Sequence, residues 1–435
     1  MKKLEYFLLV MIIICASCAK DQLLNSPAKM HDNVNSSNIF SPKIKIAVVS
    51  DIHYLDLSLM PDNPETNLYF QADMCKDRKL TELSDPIFKN VISELISEKP
   101  DVVLITGDLA NRGELASHET VKNFLQQLED EGIKVYVIPG NNDINNSKSL
   151  SYKSSPPVKV ANINKDKFVS LYNNFAYNEA LYRDANSLSF ICQPCNGLWI
   201  LGIDAVTSGS GAINSATMTW ISEKMVEANK NNITVLAMMH YGILEHYTGQ
   251  NGLEPLIKDS QANAIALMNA GIRLVFTGHY HANDIVDYVN EGKTLSDIET
   301  GSLVTPPSSY RIMTLDDNFI KIDTRRVTDV VSELTGDMDF LTYSDINITK
   351  RVNGFFSYYL PLLFPQYTNE QAAFAAPYLT NGLKAYFAGD EKISPAEINS
   401  IKVLEQYPYS SLYNLLNSFW TDLPPNDNKI HIKLK

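Results

Sequence analysis

Short apolar runs alternate with longer stretches whose apolar residues recur at helical spacing. Lys43 to Ser50 (KIKIAVVS) predicts a buried strand. Leu80 to Glu98 has helical periodicity, and Pro100 stops it. Asp101 to Thr106 (DVVLIT) predicts a second strand, Glu114 to Glu131 a helix ended by Gly132, and Lys134 to Ile138 (KVYVI) a third strand. This βαβαβ order implies a parallel sheet with helices on its faces. The polar, Tyr-rich stretch 142–186 carries a predicted helix around Lys165 to Tyr182. Ser187 to Cys192 and Gly197 to Ile203 predict a hairpin, Met218 to Asn229 a helix, and Ile233 to Met239 and Ile272 to Thr277 two more buried strands. From Asp284 to Asp323 the pattern turns to short strands.

Near Val330 the composition shifts. The remainder is aromatic, with Phe355, Phe356, Tyr358, Tyr359, Phe364, Tyr386, Phe387, Phe419 and Trp420. Ser394-Pro395-Ala396-Glu397 has the pattern of a capped helix start. Residues 330–435 therefore read as a small helical domain behind a larger one at 43–329. The aromatics suit a core packed on the larger domain better than a ligand groove.

The N-terminus reads as a targeting segment. Lys2 and Lys3 precede an apolar run, Tyr6 to Ile14, too short to span a bilayer, and the run ends in Cys15-Ala16-Ser17-Cys18. That pattern resembles a bacterial lipoprotein signal, which implies a signal peptide at 1–17, lipid on Cys18 and a polar tether over 18–42. The protein would then be lipid-anchored in the bacterial cell envelope, outside the cytoplasm. An ordinary secretory signal is the alternative.

The net charge of −13 argues against a nucleic-acid partner, and loss of Lys2, Lys3 and Glu5 with the signal makes the chain one unit more negative. Cys192-Gln-Pro-Cys195 lacks both the second pair a zinc site needs and the following helix of a redox motif. It reads as a turn holding a local disulfide or plain thiols.

Five motifs fall at the carboxyl ends of predicted strands: Asp51-Ile-His53, Gly107-Asp108-Leu-Ala-Asn111, Gly140-Asn141-Asn142-Asp143, His240 and Gly278-His279-Tyr-His281. Ligands gather at such ends in α/β sheets. Strands arriving side by side would place all five loops round one crevice. Asp and Asn offer hard oxygens and His offers nitrogen, a set suited to manganese, iron, zinc or nickel rather than to a thiolate-rich structural site.

The ordered set resembles the calcineurin-like metallophosphoesterases over about residues 43–323, and most closely the bacterial class III cyclic nucleotide phosphodiesterase-like proteins. Gly113-Glu114-Leu-Ala-Ser-His118-Glu119 and Asp143-Ile-Asn-Asn146 add local likeness. The resemblance implies an α/β/β/α sandwich and two divalent or trivalent metal ions. One would be held by Asp51, His53, Asp108 and His281, the other by Asp108, Asn141, His240 and His279. It further implies a small-molecule phosphoester substrate, such as a cyclic nucleotide, attacked by a hydroxide bridging the metals.

One position departs from the family. Its pattern is Gly-Asn-His-Asp, and this chain has Gly140-Asn141-Asn142-Asp143. The family histidine contacts phosphate and protonates the leaving group. Asn142 can donate a hydrogen bond but no proton. Three readings follow. His246 supplies the proton instead, unless it is a surface loop histidine. The substrate has a good leaving group. Or the chain binds a phosphorylated ligand with weak or no turnover. Asn111 and His118 are candidates to orient Asp108 or phosphate, with a helix-surface role as the plain reading of His118. Asp143 without the family histidine would cap its loop through backbone amides. Metals serving stability alone rank last. The sequence is silent on oligomeric state.

Overall fold

The computed structural model describes residues 43–207, 211–316, 319–406 and 408–434. The signal (1–17), the tether (18–42) and Cys18 lie outside them. All described residues belong to one compact unit, 39–435.

Among the described residues there are two large sheets. The first has six strands in the order Lys429–Lys433 (β15), Phe319–Arg326 (β14), Ser309–Asp316 (β13), Ile44–Val49 (β1), Val102–Ile105 (β2) and Lys134–Val137 (β3). The second has seven: Ile285–Asn290 (β11), Lys293–Glu299 (β12), Leu274–Thr277 (β10), Thr234–Met239 (β9), Leu198–Ile203 (β8), Phe190–Cys195 (β7) and Tyr182–Arg183 (β6). Leu150–Ser151 (β4) and Val158–Lys159 (β5) pair apart from both. β1, β2 and β3 are parallel, as are β8, β9, β10 and β12.

The sandwich follows from the two-residue period of strands. In β8, Leu198 and Ile200 join the core that also holds Val48 and Leu104 of the first sheet. Trp199, Leu201 and Ile203, on the opposite face, pack in a separate core with Ile221 and Met225 of helix Ser215–Lys230 (α5) and Leu267 and Met268 of helix Ser260–Ala270 (α6). β9 and β10 divide in the same way: Leu236, Met238 and Phe276 face the shared core, while Ala237, Met239 and Val275 face the helices. Helices Ser84–Glu98 (α2) and Leu115–Asp130 (α3) bury Val91, Leu95, Val121 and Leu125 in the first core. The expected α/β/β/α sandwich is present. The motif-bearing strands, however, are shared between the sheets: β1, β2 and β3 lie in one, β9 and β10 in the other.

Three local expectations change. Helix around Lys165 to Tyr182 shortens to Lys165–Leu171 (α4), because the chain kinks at Phe175 and Ala176, where Ala176 takes φ 109°. The rings of Phe168, Tyr172, Phe175 and Tyr177 cluster there and are buried. Cys192-Gln-Pro-Cys195 is the end of β7, with an irregular register between the cysteines, and both thiols are free. α6 was not foreseen.

A short helix, Leu68–Met74 (α1), lies before α2. The C-terminal part contains Phe340–Leu363 (α7), Asn369–Ala388 (α8), Pro395–Ile401 (α9) and Ser410–Phe419 (α10). α9 has the capping box read from the sequence, with Ser394 and Glu397 closing it reciprocally. Phe356, Tyr386, Phe387 and Phe419 form its core and enclose Tyr247 and Ala282 of the larger part. Phe355, Tyr359 and Phe364 are half-buried and line a hollow with Arg78. α7 is also pinned by Arg351, which pairs with Glu82 at 2.8 Å and donates to the Lys79 carbonyl. The last strand, β15, was missed in a region read as helical. It pairs with β14, placing Ile432 beside Ile320 and Ile430 beside Ile322. No helix among the described residues is long and apolar enough to cross a membrane.

Candidate metal centre

The loops following β1, β2, β3, β9 and β10 meet between the sheets. Asp51, His53, Asp108, His279 and His281 all adopt positive φ, at 48°, 42°, 52°, 80° and 69°. Left-handed backbone is uncommon for such residues and gathers where surrounding structure enforces it for function. The glycines of the motifs make the approach possible. A Cβ on Gly140 would collide with the backbone N and Oδ1 of Asp108, and one on Gly278 with Ser50 Oγ and Asp51 Oδ2.

The ligand atoms converge. Asp51 Oδ1 is 3.6 Å from His53 Nε2 and 3.6 Å from His281 Nε2, which are 3.1 Å apart. Asp108 Oδ2 is 3.5 Å from His53 Nε2 and 3.6 Å from His240 Nε2. His240 Nε2 in turn lies 3.0 Å from Asn141 Oδ1 and 3.3 Å from His279 Nδ1. The seven candidate ligands thus form two adjoining groups, with one oxygen of Asp108 between them.

Neighbours hold the rings in ligand-ready form. His240 Nδ1 donates to the Thr106 carbonyl at 2.9 Å, which leaves the lone pair on Nε2. Thr305 spends its hydroxyl proton on the Arg78 carbonyl (2.9 Å) and so accepts from His281 Nδ1 at 2.7 Å. His281 Nε2 therefore also presents a lone pair. Burial, then repulsion from His240, pushes His279 down to about 3. Burial also drives His281 well below the ordinary histidine range. Neutral imidazoles are what a metal requires. Asp51 Oδ2 accepts from Ser50 Oγ and from the His279 amide (2.9 Å), while Oδ1, fully buried, has no hydrogen-bond partner. A buried acceptor without a donor is costly, and a cation among these atoms supplies the missing partner. The residues present therefore fit metal ions.

A calcineurin-like phosphoesterase family model matches residues 44–283, more than half of the chain. The chain belongs to the calcineurin-like phosphoesterase family. Over 130 residues it is 29% identical to a probable cyclic nucleotide phosphodiesterase of Vesicomyosocius okutanii, covering 26% of this chain and 54% of that one. A probable cyclic nucleotide phosphodiesterase of Ruthia magnifica is 37% identical over 67 residues, 15% of this chain and 27% of that one. The chain thus spans about half or less of the length of these curated relatives. Among solved structures, a dimetal phosphatase from Danio rerio aligns at 13% identity with TM-score 0.48, covering 65% of this chain and 96% of that one. Purple acid phosphatase PPD1 from yellow lupin aligns at 11% identity with TM-score 0.44, covering 67% and 53%.

The remaining candidates of this family member fall into place around the ligands. Asn142 donates its backbone N–H to Asp108 Oδ1 and its side-chain amide to Asp108 Oδ2. Asp143 caps the loop. Its oxygens accept the amides of Leu109 (2.9 Å), Ala110 (3.1 Å) and Gly140 (2.7 Å), which staples the loop after β2 to the loop after β3. Burial, then the charge of Asp108, raises the Asp143 carboxyl well above its usual range. His118 is no helix-surface residue. It is buried, Nε2 donates to the Asp143 carbonyl at 3.1 Å, and Nδ1 lies 2.8 Å from the Tyr172 hydroxyl. Asn111 Oδ1 is 3.4 Å from Lys79 Nζ.

His246 is no surface loop histidine either. It is buried, with Nδ1 3.1 Å from Asp284 Oδ1 and 3.9 Å from Glu299 Oε2, and Nε2 3.5 Å from Asp297 Oδ2. Its ring is enclosed by these carboxylates rather than by the ligand groups.

Sequence reasoning missed Thr305, Ser50 and Tyr241. The first two orient His281 and Asp51, and the Tyr241 ring lies 4.2 Å from that of His279. Tyr241 directly follows a motif histidine, a signal that was available; Thr305 has none in the linear sequence.

Proposed function

We propose that this protein hydrolyses phosphodiesters in a metal-dependent reaction, with a cyclic nucleotide as the candidate substrate. The observation that carries this is Asp108 Oδ2, placed 3.5 and 3.6 Å from imidazoles of both ligand groups. Bound divalent ions would act there as Lewis acids on the phosphoryl oxygens and acidify a water. The chain's own residues do the rest. Asp51, His53 and His281 form one group; Asn141, His240 and His279 form the other. Arg78 and Lys79 set positive charge near His281. The names of the two curated relatives support the cyclic nucleotide, and family membership supports the ester chemistry. The test is manganese- or zinc-reconstituted protein with bis-aryl phosphate, aryl phosphate and cyclic nucleotides. Hydrolysis of none of them would refute the proposal.

A second reading is a phosphate-binding protein of weak or no turnover. Asn142 favours it, since its amide is committed to Asp108 and carries no transferable proton. Tight binding of a phosphoester without release of product would establish this reading.

We also infer that lipid on Cys18 holds the chain to the bacterial envelope, on the strength of the Cys15-Ala16-Ser17-Cys18 pattern. Cys18→Ser should then move the protein from the membrane fraction to the soluble one. Unchanged partitioning would overturn the inference.

A further inference from the structure

A second set of carboxylates, sharing no residue with the metal centre, gathers where the C-terminal part meets the phosphoesterase domain. Asp284 precedes β11, Glu391 follows α8, and Asp427 precedes β15. Their exposures are 2%, 7% and 0%, and one oxygen of each lies within 4.8 Å of the others. Asp390 and Asp422 form an overlapping group with Asp427.

Partner accounting separates these groups. Asp427 Oδ1 accepts from the Ile285 amide (2.8 Å) and Oδ2 from the Asp390 amide (2.6 Å). Asp284 Oδ1 faces His246. Asp390 Oδ1 accepts from Asn426 Nδ2 and the Asp427 amide, and Oδ2 from Asn428 Nδ2. Glu391 differs: both its carboxylate oxygens are buried and neither has a hydrogen-bond partner. Arg311 lies close, but it donates to the carbonyls of Asp284, Glu299 and Asp427 and to Thr324 Oγ1 rather than to these carboxylates.

An unpaired buried carboxylate costs several kcal/mol, so protons or a cation must offset it. Burial, with the charges of Asp284 and Asp427, pushes the Glu391 carboxyl up to about 10, and burial with Asp284 pushes Asp427 up to about 8. Protonation alone is a poor remedy at Glu391, because it removes the charge but still leaves the second oxygen without a donor. A cation satisfies both oxygens. The donors are all oxygen, several are carboxylates, and they sit on loops that can adapt, which is the chemistry of calcium.

We propose that Asp284, Glu391 and Asp427, with Asp390 and Asp422 at the rim, hold a calcium ion that fastens the C-terminal part to the phosphoesterase domain. The ion would tie together three segments far apart in sequence and so stabilise the folded chain by mass action.

Calcium titration of manganese-loaded protein, by calorimetry and thermal unfolding, tests this. Wild type should take up one calcium per chain at concentrations below about 5 mM and unfold a few degrees higher. Glu391→Gln should bind calcium at least about tenfold more weakly and lose the thermal shift. Asp51→Asn, in the other metal group, should keep both. No calcium uptake by wild type overturns the proposal, as does equal uptake in Glu391→Gln or loss of uptake in Asp51→Asn. Should Glu391→Gln not fold, the wild-type stoichiometry and the Asp51→Asn result decide the matter.

Discussion

Asn142 binds Asp108 twice, through its backbone N–H to Oδ1 at 2.7 Å and its side-chain amide to Oδ2 at 2.6 Å. The second contact engages the oxygen shared by the two ligand groups. Asn142 can thus steady the Asp108 carboxylate, and it cannot protonate a departing alkoxide. Asn142→His should raise turnover by up to roughly 10²–10⁴-fold. The gain should be large for a cyclic nucleotide, whose leaving group is poor, and small for an aryl diester, whose leaving group needs no acid. Comparing kcat for the two substrates checks this. Equal gains would mean that proton delivery is not what Asn142 lacks.

The Thr305 hydroxyl fixes which nitrogen of His281 carries the lone pair. Thr305→Val keeps the shape and removes the acceptor. Metal affinity should fall roughly 10–100-fold, read from competition with a chelator. Thr305→Ser should retain most of it.

Gly278→Ala would drive a methyl group into Ser50 Oγ and Asp51 Oδ2. These atoms belong to a buried chain running from Thr106 Oγ1 through Ser50 to Asp51, with little room to yield. The expected cost is about 1–3 kcal/mol in denaturant unfolding, together with weaker metal retention.

His246 should prove a stability residue. Burial alone would lower its pKa, but the carboxylates of Asp284 and Asp297 overcome burial and raise it well above the ordinary value. A histidine that binds its proton more tightly when folded stabilises fully below the unfolded value, about 6.5, and loses that contribution as pH rises through the folded value. Removing the partner of buried carboxylates costs about 3–5 kcal/mol. The stability gap between wild type and His246→Gln should therefore be widest near pH 6 and narrow as the solution becomes alkaline. Turnover per folded molecule should stay near wild type. A collapse of kcat with unchanged stability would return His246 to the catalytic machinery.

Much of the centre was legible because its ligands sit in short motifs directly after strands, where chain order and residue type suffice. Asp51-Ile-His53 and His279-Tyr-His281 are read from a few letters. What orients them is not, since Thr305 meets His281 only through the fold. The sandwich itself follows from strand alternation once burial is known, but apolar runs alone do not say which sheet a strand joins. The plain reading of His118 and His246 failed for one reason. Each stands in a polar context in sequence and is buried by elements far away, Tyr172 and Asp143 for one, Asp284 and Asp297 for the other. β15 was overlooked because it is only five residues long in a segment whose surroundings are helical, although Ile430 and Ile432 do show strand alternation.

That strand has a consequence for how the chain is assembled. β14 ends at Arg326 and its neighbour β15 starts at Lys429, so the whole helical part is an excursion between adjacent strands of one sheet. A ribosome delivers β15 only after the whole helical part, and until then β14 presents an open edge, which is an invitation to pair with another chain. A chain cut after Arg326 would keep every motif of the metal centre and still leave that edge permanently bare.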